Sequence, residues 1–210
     1  MHVPTIFNAD IDESYDVFVL DDDKLHHLNN VLRIRNNSPI KISNGKGFLF
    51  FGKLKDNNIQ LSSKKEYKRG KIINIFVPSI QDKTRFRFMI EKLGELNVNS
   101  ITIGPTDYSQ KTNVNTDKVI SWLVSSVEQS GTPFMPELEI CKEIDFNKFN
   151  HGLDICGKNI NDNQSFQNIA IGPEGGWSQD ELNKFSYTSS INEFTFRTET
   201  AAIVAVSLML

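Results

Sequence analysis

Apolar and polar positions follow two rhythms along this chain. Up to about residue 70 the apolar positions come in short runs with turns between them. Val17–Leu20 is one strand-like run. Pro39–Ser43 is another, and its residues alternate. Asn44-Gly45-Lys46-Gly47 is an Asn-Gly turn of the kind that joins hairpin strands, so Phe48–Leu54 is predicted as the partner strand. Lys55–Asn58 turns again into Ile59–Leu61. Between the first two runs, Asp23–Arg33 places Leu25, Leu28, Val31 and Leu32 on one helical face. The polar stretch Ser62–Lys71 reads as a linker. Short strands at this spacing predict a small β-barrel over residues 1–70.

From residue 71 the rhythm becomes strand, helix, strand, helix, and predicts an α/β domain over 71–210. Ile72–Val77 fits a buried strand. Asp82–Asn97 is helical, with Phe86, Met89, Ile90 and Leu93 on one face and Asn97 suited to a left-handed C-terminal position. Ile101–Ile103 is a short strand. Asn115–Gln129 is a second helix with Val119, Ile120, Leu123, Val124 and Val127 on its face, stopped by Gly131 and Pro133. Leu153–Cys156 and Ile169–Ile171 read as buried strands and Glu193–Phe196 as another strand. Thr198–Leu210 is a strongly apolar helix that stops in mid-pattern.

Composition adds little until charge is mapped. The chain has 210 residues and net charge −3, but the distribution is lopsided. Asn8–Asp23 carries −7, Lys24–Lys71 carries +10, and the remainder carries −6. A basic block inside an acidic protein suggests contact with a phosphate polymer, set against the plainer reading of a solvated lysine face. The two cysteines, Cys141 and Cys156, read as core residues of a reduced, cytoplasmic protein. The four histidines do not fall at metal-ligand spacings with them, so no metal site is expected. No apolar run reaches the ~18–20 residues of a membrane span, and the N-terminus does not read as a signal peptide.

The chemistry concentrates in the last forty or so residues, at two strand-to-helix corners. Ile171-Gly172-Pro173-Glu174-Gly175-Gly176-Trp177-Ser178 is the first. Its glycines allow close backbone approach, and Ser178 with Glu181 forms a capping box that starts a helix. That helix N-terminus offers free N–H groups. The segment matches neither the dinucleotide fingerprint nor the P-loop, and alone it is equally a tight connection. The second corner is Phe196-Arg197-Thr198-Glu199-Thr200-Ala201-Ala202. Thr198 is a good N-cap, and Arg197 offers a planar fork of donors. Two such corners suggest a site built mostly from backbone, of the kind that holds nucleotide-like cofactors.

These residues resemble the 16S ribosomal RNA (uracil-N3)-methyltransferase family of the knotted SPOUT superfamily. Weaker matches follow in the same order: His26-His27-Leu28 with Val31-Leu32-Arg33, the Asn44–Gly47 turn, Glu91-Lys92 with Glu95-Leu96, and Glu128–Gly131 with Pro136. The resemblance spans nearly the whole chain. It implies a PUA-like RNA-binding β-barrel followed by a trefoil-knotted α/β domain. It implies S-adenosylmethionine as cofactor, a homodimer, and methylation of N3 of one uridine in the small ribosomal subunit. By carry-over, Ile171, Gly172, Pro173, Gly175 and Gly176 form one wall of the cofactor pocket. Phe196, Arg197 and Thr198 form another, and Thr106 lies near a third.

The chain departs from the family pattern where Tyr108, Thr132 and Phe194 stand in place of its usual arginines, and where Asn97 replaces a glycine. For chemistry, Arg197 is the candidate partner for charge growing on uracil oxygens, and Glu199 or Glu174 the candidate proton acceptor. The plainer reading of both carboxylates is that they sit at helix N-termini for structural reasons. Arg33, Arg35, Lys41, Lys46 and Lys53 are candidate RNA contacts, with His26 and His27 as additions. Three alternatives remain open: another SPOUT methyltransferase acting on ribose 2′-oxygen or a tRNA base, an rRNA-binding assembly factor without catalysis, and a nucleotide-binding metabolic enzyme, which would leave the +10 block unexplained.

Overall fold

The computed structural model describes residues 3–26, 28, 34–109, 113–162 and 166–210. The predicted helix residues His27, Val31, Leu32 and Arg33 lie outside them. The chain divides into two compact units, Met1–Arg69 with Val127–Met135, and Gly70–Ser126 with Pro136–Leu210.

The first unit holds β1 (Thr5–Phe7), β2 (Val17–Val19), α1 (Asp22–His26), β3 (Pro39–Ser43), β4 (Phe48–Lys55) and β5 (Asn58–Glu66). They form one five-stranded sheet in the order β1-β3-β4-β5-β2. The alternation of Pro39–Ser43 puts Ile40 and Ile42 into a core with Ile6, Phe18, Leu28, Phe50, Leu54 and Ile59. The hairpin turn closes because the Asn44 side-chain oxygen accepts from the N–H groups of Lys46 and Phe48.

The predicted linker is a correction. Ser62–Glu66 continues β5, and Ser63–Glu66 pairs with Phe48–Phe51 of β4. Backbone pairing to a partner strand overrides the polar composition there. Strand β1 had no signal: three residues are too few for a period, and their pairing partner, β3, lies more than thirty residues on.

The second unit follows as β6 (Asn74–Pro78), α2 (Lys83–Glu95), β7 (Ser100–Gly104), α3 (Thr116–Ser130), β8 (Glu137–Ile140), β9 (His151–Asn159), β10 (Asn168–Ile171), α4 (Gln179–Leu182), β11 (Tyr187–Ser190) and α5 (Thr198–Met209). Its six strands are parallel, in the order β11-β9-β10-β6-β7-β8. Central strands β6, β7 and β10 are almost wholly buried, as a sheet covered on both faces requires. Helix α2 buries Phe86, Met89, Ile90 and Leu93 as expected, and Asn97 ends it at φ 59°.

Three expectations fail here. Ile120 of α3 is exposed, and Trp122 and Ser126 take the inward positions beside Leu123 and Val127. Ser126 turns inward because its hydroxyl donates to the Glu91 carbonyl at 2.7 Å. β9 is buried only at its start, so Cys156 is exposed rather than core, and Cys141, directly after β8, is half-buried. Glu193–Phe196 is not a strand; the sixth strand is Tyr187–Ser190, held by pairing with β9, and Phe194 is exposed.

Among the described residues no helix is long and apolar enough to cross a membrane, and no cluster of His, Cys, Asp and Glu is arranged to hold a metal.

Candidate active site

β10 delivers the first corner from the middle of the sheet. The chain turns at Pro173, where the Gly176 N–H donates to the Pro173 carbonyl at 2.9 Å. Gly176 sits at φ 74°, a conformation that costs a side-chain-bearing residue about 1 kcal/mol or more. Trp177 anchors the exit: its indole is buried against Phe76 and Phe185, and Nε1 donates to the Leu153 carbonyl at 2.9 Å. A Cβ on Gly172 would lie 3.1 Å from that indole, a crowded contact that the ring could relieve only by giving a few tenths of an ångström. The capping box forms as predicted. Glu181 N–H donates to the Ser178 hydroxyl at 3.2 Å, and the Glu181 carboxylate accepts from Ser178 N–H at 3.0 Å. The same carboxylate accepts from Asp107 N–H at 3.0 Å, tying the loop after β7 to this corner.

The second corner enters α5, but with a shifted cap. Arg197 is the N-cap residue and caps nothing with its side chain; Thr198 is the first helical residue. The Thr198 hydroxyl instead donates to the Gly172 carbonyl at 3.2 Å, joining the corners directly. A second tie comes from Arg85, in the first turn of α2 where Asp82 caps the helix. Arg85 Nε and Nη2 donate to the two Glu199 oxygens at 2.8 and 2.7 Å, and Nη2 also donates to Glu174 at 2.5 Å. One guanidinium thus holds a carboxylate from each corner.

This geometry separates two carboxylates that the sequence ranked alike. The Glu199 side chain is 9% exposed and that of Glu174 59% exposed. Hydrogen bonding from Arg85 holds the Glu199 carboxyl below the usual carboxylate range, and the two carboxylates in turn raise the Arg85 guanidinium. A carboxylate so held is a poor proton acceptor. Arg85 itself gave no signal in sequence, since an arginine three residues after a cap is an ordinary helix residue.

Between the corners lies a crevice of about 250 Å³. Ile171–Trp177 line one side and Phe194, Thr195, Phe196 and Thr198 another. Leu153–Ile155 of β9 form a third wall that the sequence did not single out. Of the predicted cofactor residues, Ile171, Gly172, Pro173, Gly175, Gly176, Phe196 and Thr198 are brought together here, with Glu174 beside them. Two are not. Arg197 is exposed between two lining residues and has no hydrogen bond from its side chain among the described residues. Thr106 is buried and lines a different cavity with Asp107, Lys142 and Glu181. Chemically the crevice offers apolar walls for a flat ring, backbone groups at glycines, and the Asp154 carboxylate for sugar hydroxyls. These residues fit a nucleoside cofactor.

In the first unit Arg35, Lys53 and His26 are exposed. Lys46 donates to the Ala9 carbonyl at 2.8 Å, and Lys41 lies half-buried beside Gly131. His27 and Arg33 lie outside the described residues. Lys65, exposed on β5 and 4.5 Å over the Tyr67 ring, extends the basic surface beyond the predicted set. Of the three positions where the resemblance leads one to expect arginine, Tyr108 is 58% exposed and packs on Gly175, Phe194 lines the crevice, and Thr132 is buried with its carbonyl accepting from Ser43.

Known proteins match this arrangement over its whole length. The RNA methyltransferase domain family matches residues 71–210, and the RNA methyltransferase PUA domain matches residues 20–66. A protein named Ribosomal RNA small subunit methyltransferase E from Rickettsia conorii is 25% identical, over 95% of this chain and 91% of its own. A protein of the same name from Buchnera aphidicola is 24% identical over 99% of this chain and 92% of its own. Among solved structures, Ribosomal RNA small subunit methyltransferase E from Neisseria gonorrhoeae, bound to S-adenosyl methionine, superposes with TM-score 0.82 at 22% identity, covering 99% of this chain and 97% of its own. A methyltransferase from Legionella pneumophila, in complex with the same cofactor, superposes with TM-score 0.81 at 23% identity over 100% and 97%. Fold, crevice and family match converge, and the chain belongs to the RNA methyltransferase family, with an RNA methyltransferase PUA domain ahead of the methyltransferase domain.

Proposed function

We propose that this protein methylates N3 of a specific uridine in 16S ribosomal RNA of the small subunit, using S-adenosylmethionine. The observation that carries the reading is the crevice between the Ile171–Trp177 and Phe194–Thr198 corners, joined by Thr198 to Gly172. The two relatives named for ribosomal RNA small subunit methylation support the substrate class.

In this reading Ile171–Gly176, Phe196 and Thr198 hold the cofactor, and Asp154 takes its sugar hydroxyls. Bound there, S-adenosylmethionine supplies an electrophilic methyl on a sulfonium. The protein's remaining work is on the uracil. Its N3 begins protonated, and the Glu174 carboxylate at the crevice wall accepts that proton. Arg197, exposed at the rim, faces the negative charge that spreads onto the carbonyl oxygens. Glu199 orients Arg85 and takes no proton. Rigid corners supply rate through alignment. Residues 1–70 act as the PUA-like RNA-binding domain and 71–210 as the methyltransferase domain. Arg35, Lys41, Lys46 and Lys53 meet the RNA backbone, with His26, His27 and Arg33. A trefoil-knotted path through the two corners, a homodimer and a cytoplasmic location complete the proposal.

One observation favours a second reading. Tyr108 and Phe194 stand where the family pattern that the sequence resembles has arginine, which suits an assembly factor without catalysis. Calorimetric titration with S-adenosylmethionine, followed by transfer of labelled methyl to small ribosomal subunits, large subunits or tRNA, separates them. Binding with transfer to small subunits only is expected. Binding without transfer, or transfer to tRNA, removes the proposal.

A further inference from the structure

A second cavity, of about 350 Å³, shares Pro173, Glu174, Gly175 and Thr198 with the cofactor crevice. Its other walls come from Pro78–Asp82, Arg85 and Tyr108-Ser109. We infer that this cavity receives the target uracil, with Arg85 donating to a carbonyl oxygen of the base and Tyr108 stacking on its face. The inference rests on the methyltransferase reading above and names the site that reading needs beside the cofactor.

Charge decides what class of group enters. The cavity sets one guanidinium, Arg85, against two carboxylates, Asp82 and Glu174. A wall with excess negative charge repels a phosphate, and equally the carboxylate of an amino acid. It accepts a neutral heterocycle. The volume lies within the range of small-molecule pockets, about 300–1,000 Å³.

Donor geometry then selects among bases. Arg85 commits Nε and Nη2 to Glu199 and Glu174, and its two Nη1 donors have no acceptor among the described residues. A guanidinium only donates. Uracil carries a carbonyl on each side of N3, whereas cytosine carries an amino donor in place of one of them. A donor fixed in this wall and meeting the C4 oxygen therefore favours uracil and opposes cytosine, which carries its amino group there. Fixed is the operative condition: the bidentate bond to buried Glu199 holds the guanidinium in place before any base arrives. An enzyme that acts on a base must also take it out of its stack, and an aromatic ring at the pocket replaces the lost neighbour. Tyr108, 58% exposed and packed on Gly175, is such a ring at the shared wall.

The test uses photo-crosslinking and steady-state kinetics together. Small-subunit RNA carrying 5-bromouridine in place of part of its uridine is bound to the full chain saturated with S-adenosylhomocysteine, irradiated, and the crosslinked peptides are mapped. A crosslink at Tyr108 is expected. It should vanish in Tyr108→Ala and return in Tyr108→Phe, which keeps the ring. Tyr108→Ala should also raise KM for RNA about tenfold, the size expected for one stacked base, while affinity for S-adenosylhomocysteine stays the same. If wild-type protein makes N3-methyluridine but Tyr108 is never crosslinked and Tyr108→Ala keeps its KM, the base pocket is wrong and the enzyme reading stands. If wild-type protein binds cofactor and makes no N3-methyluridine, both fall.

Discussion

Arg85 grips Glu199 with two hydrogen bonds, of 2.8 and 2.7 Å, although the residues are 114 positions apart in the chain. The contact runs from the first turn of α2 to the first turn of α5. Its third bond reaches Glu174 in the Gly-Pro-Glu-Gly-Gly loop. A single guanidinium therefore fixes the spacing of both corners, and the corners are the walls of the crevice.

Glu199 and Glu174 should separate under substitution. Glu199→Gln leaves Arg85 beside a neutral amide with only Glu174 as its ionic partner and should destabilise the protein by about 1.5–3 kcal/mol, read from urea denaturation. Glu174→Gln should cost less than about 1 kcal/mol, because that pair is largely exposed. It should nevertheless reduce turnover at least a hundredfold, in keeping with loss of a general base.

Acid should reveal the same contact. The Glu199 carboxyl lies below its ordinary value of 4.5 because of Arg85. The folded state thus holds its proton less tightly than the unfolded chain. The stabilisation is fully present above about pH 4.5 and is lost as pH falls through the folded value. Melting temperature against pH should drop more steeply below pH 4.5 for wild type than for Glu199→Gln. Parallel curves would mean the pair adds no pH-dependent stability.

Two glycines should report on the cofactor crevice. Gly172→Ala drives a methyl to 3.1 Å from the Trp177 indole, which is itself pinned to Leu153. Affinity for S-adenosylmethionine should fall at least tenfold, with a change in tryptophan fluorescence. Gly176→Ala meets no neighbour but strains a backbone at φ 74°, so it should cost about 1 kcal/mol of stability.

RNA affinity should depend steeply on salt. Each phosphate neutralised adds roughly −0.7 to −0.9 to the slope of log affinity against log salt. Lys53→Ala, at an exposed site on β4, should reduce that slope by about one without changing the nucleoside produced. An unchanged slope would remove Lys53 from the phosphate contacts.

Local chemistry made much of this molecule readable. The Pro39–Ser43 alternation, the Asn44–Gly47 turn, the left-handed Asn97 and the Ser178–Glu181 box each depend on residues a few positions apart. What escaped depends on distant partners. β1, β8 and β11 are three- or four-residue strands defined by the strands they pair with. The N-cap at Arg197 rather than Thr198 reflects a hydroxyl drawn to the Gly172 carbonyl, 26 residues away. Arg85 escaped for the same reason. The return of Val127–Met135 to the first unit, where Met135 N–H donates to the Gly45 carbonyl at 2.9 Å, left no mark on local pattern either.

The most direct test is nucleoside mass spectrometry of small-subunit RNA, taken from cells that lack the modification and incubated with this protein and S-adenosylmethionine. The account predicts 3-methyluridine approaching one per RNA molecule, abolished by Glu174→Gln. A methyl group found on a ribose oxygen or on another base, or none despite bound cofactor, would contradict it.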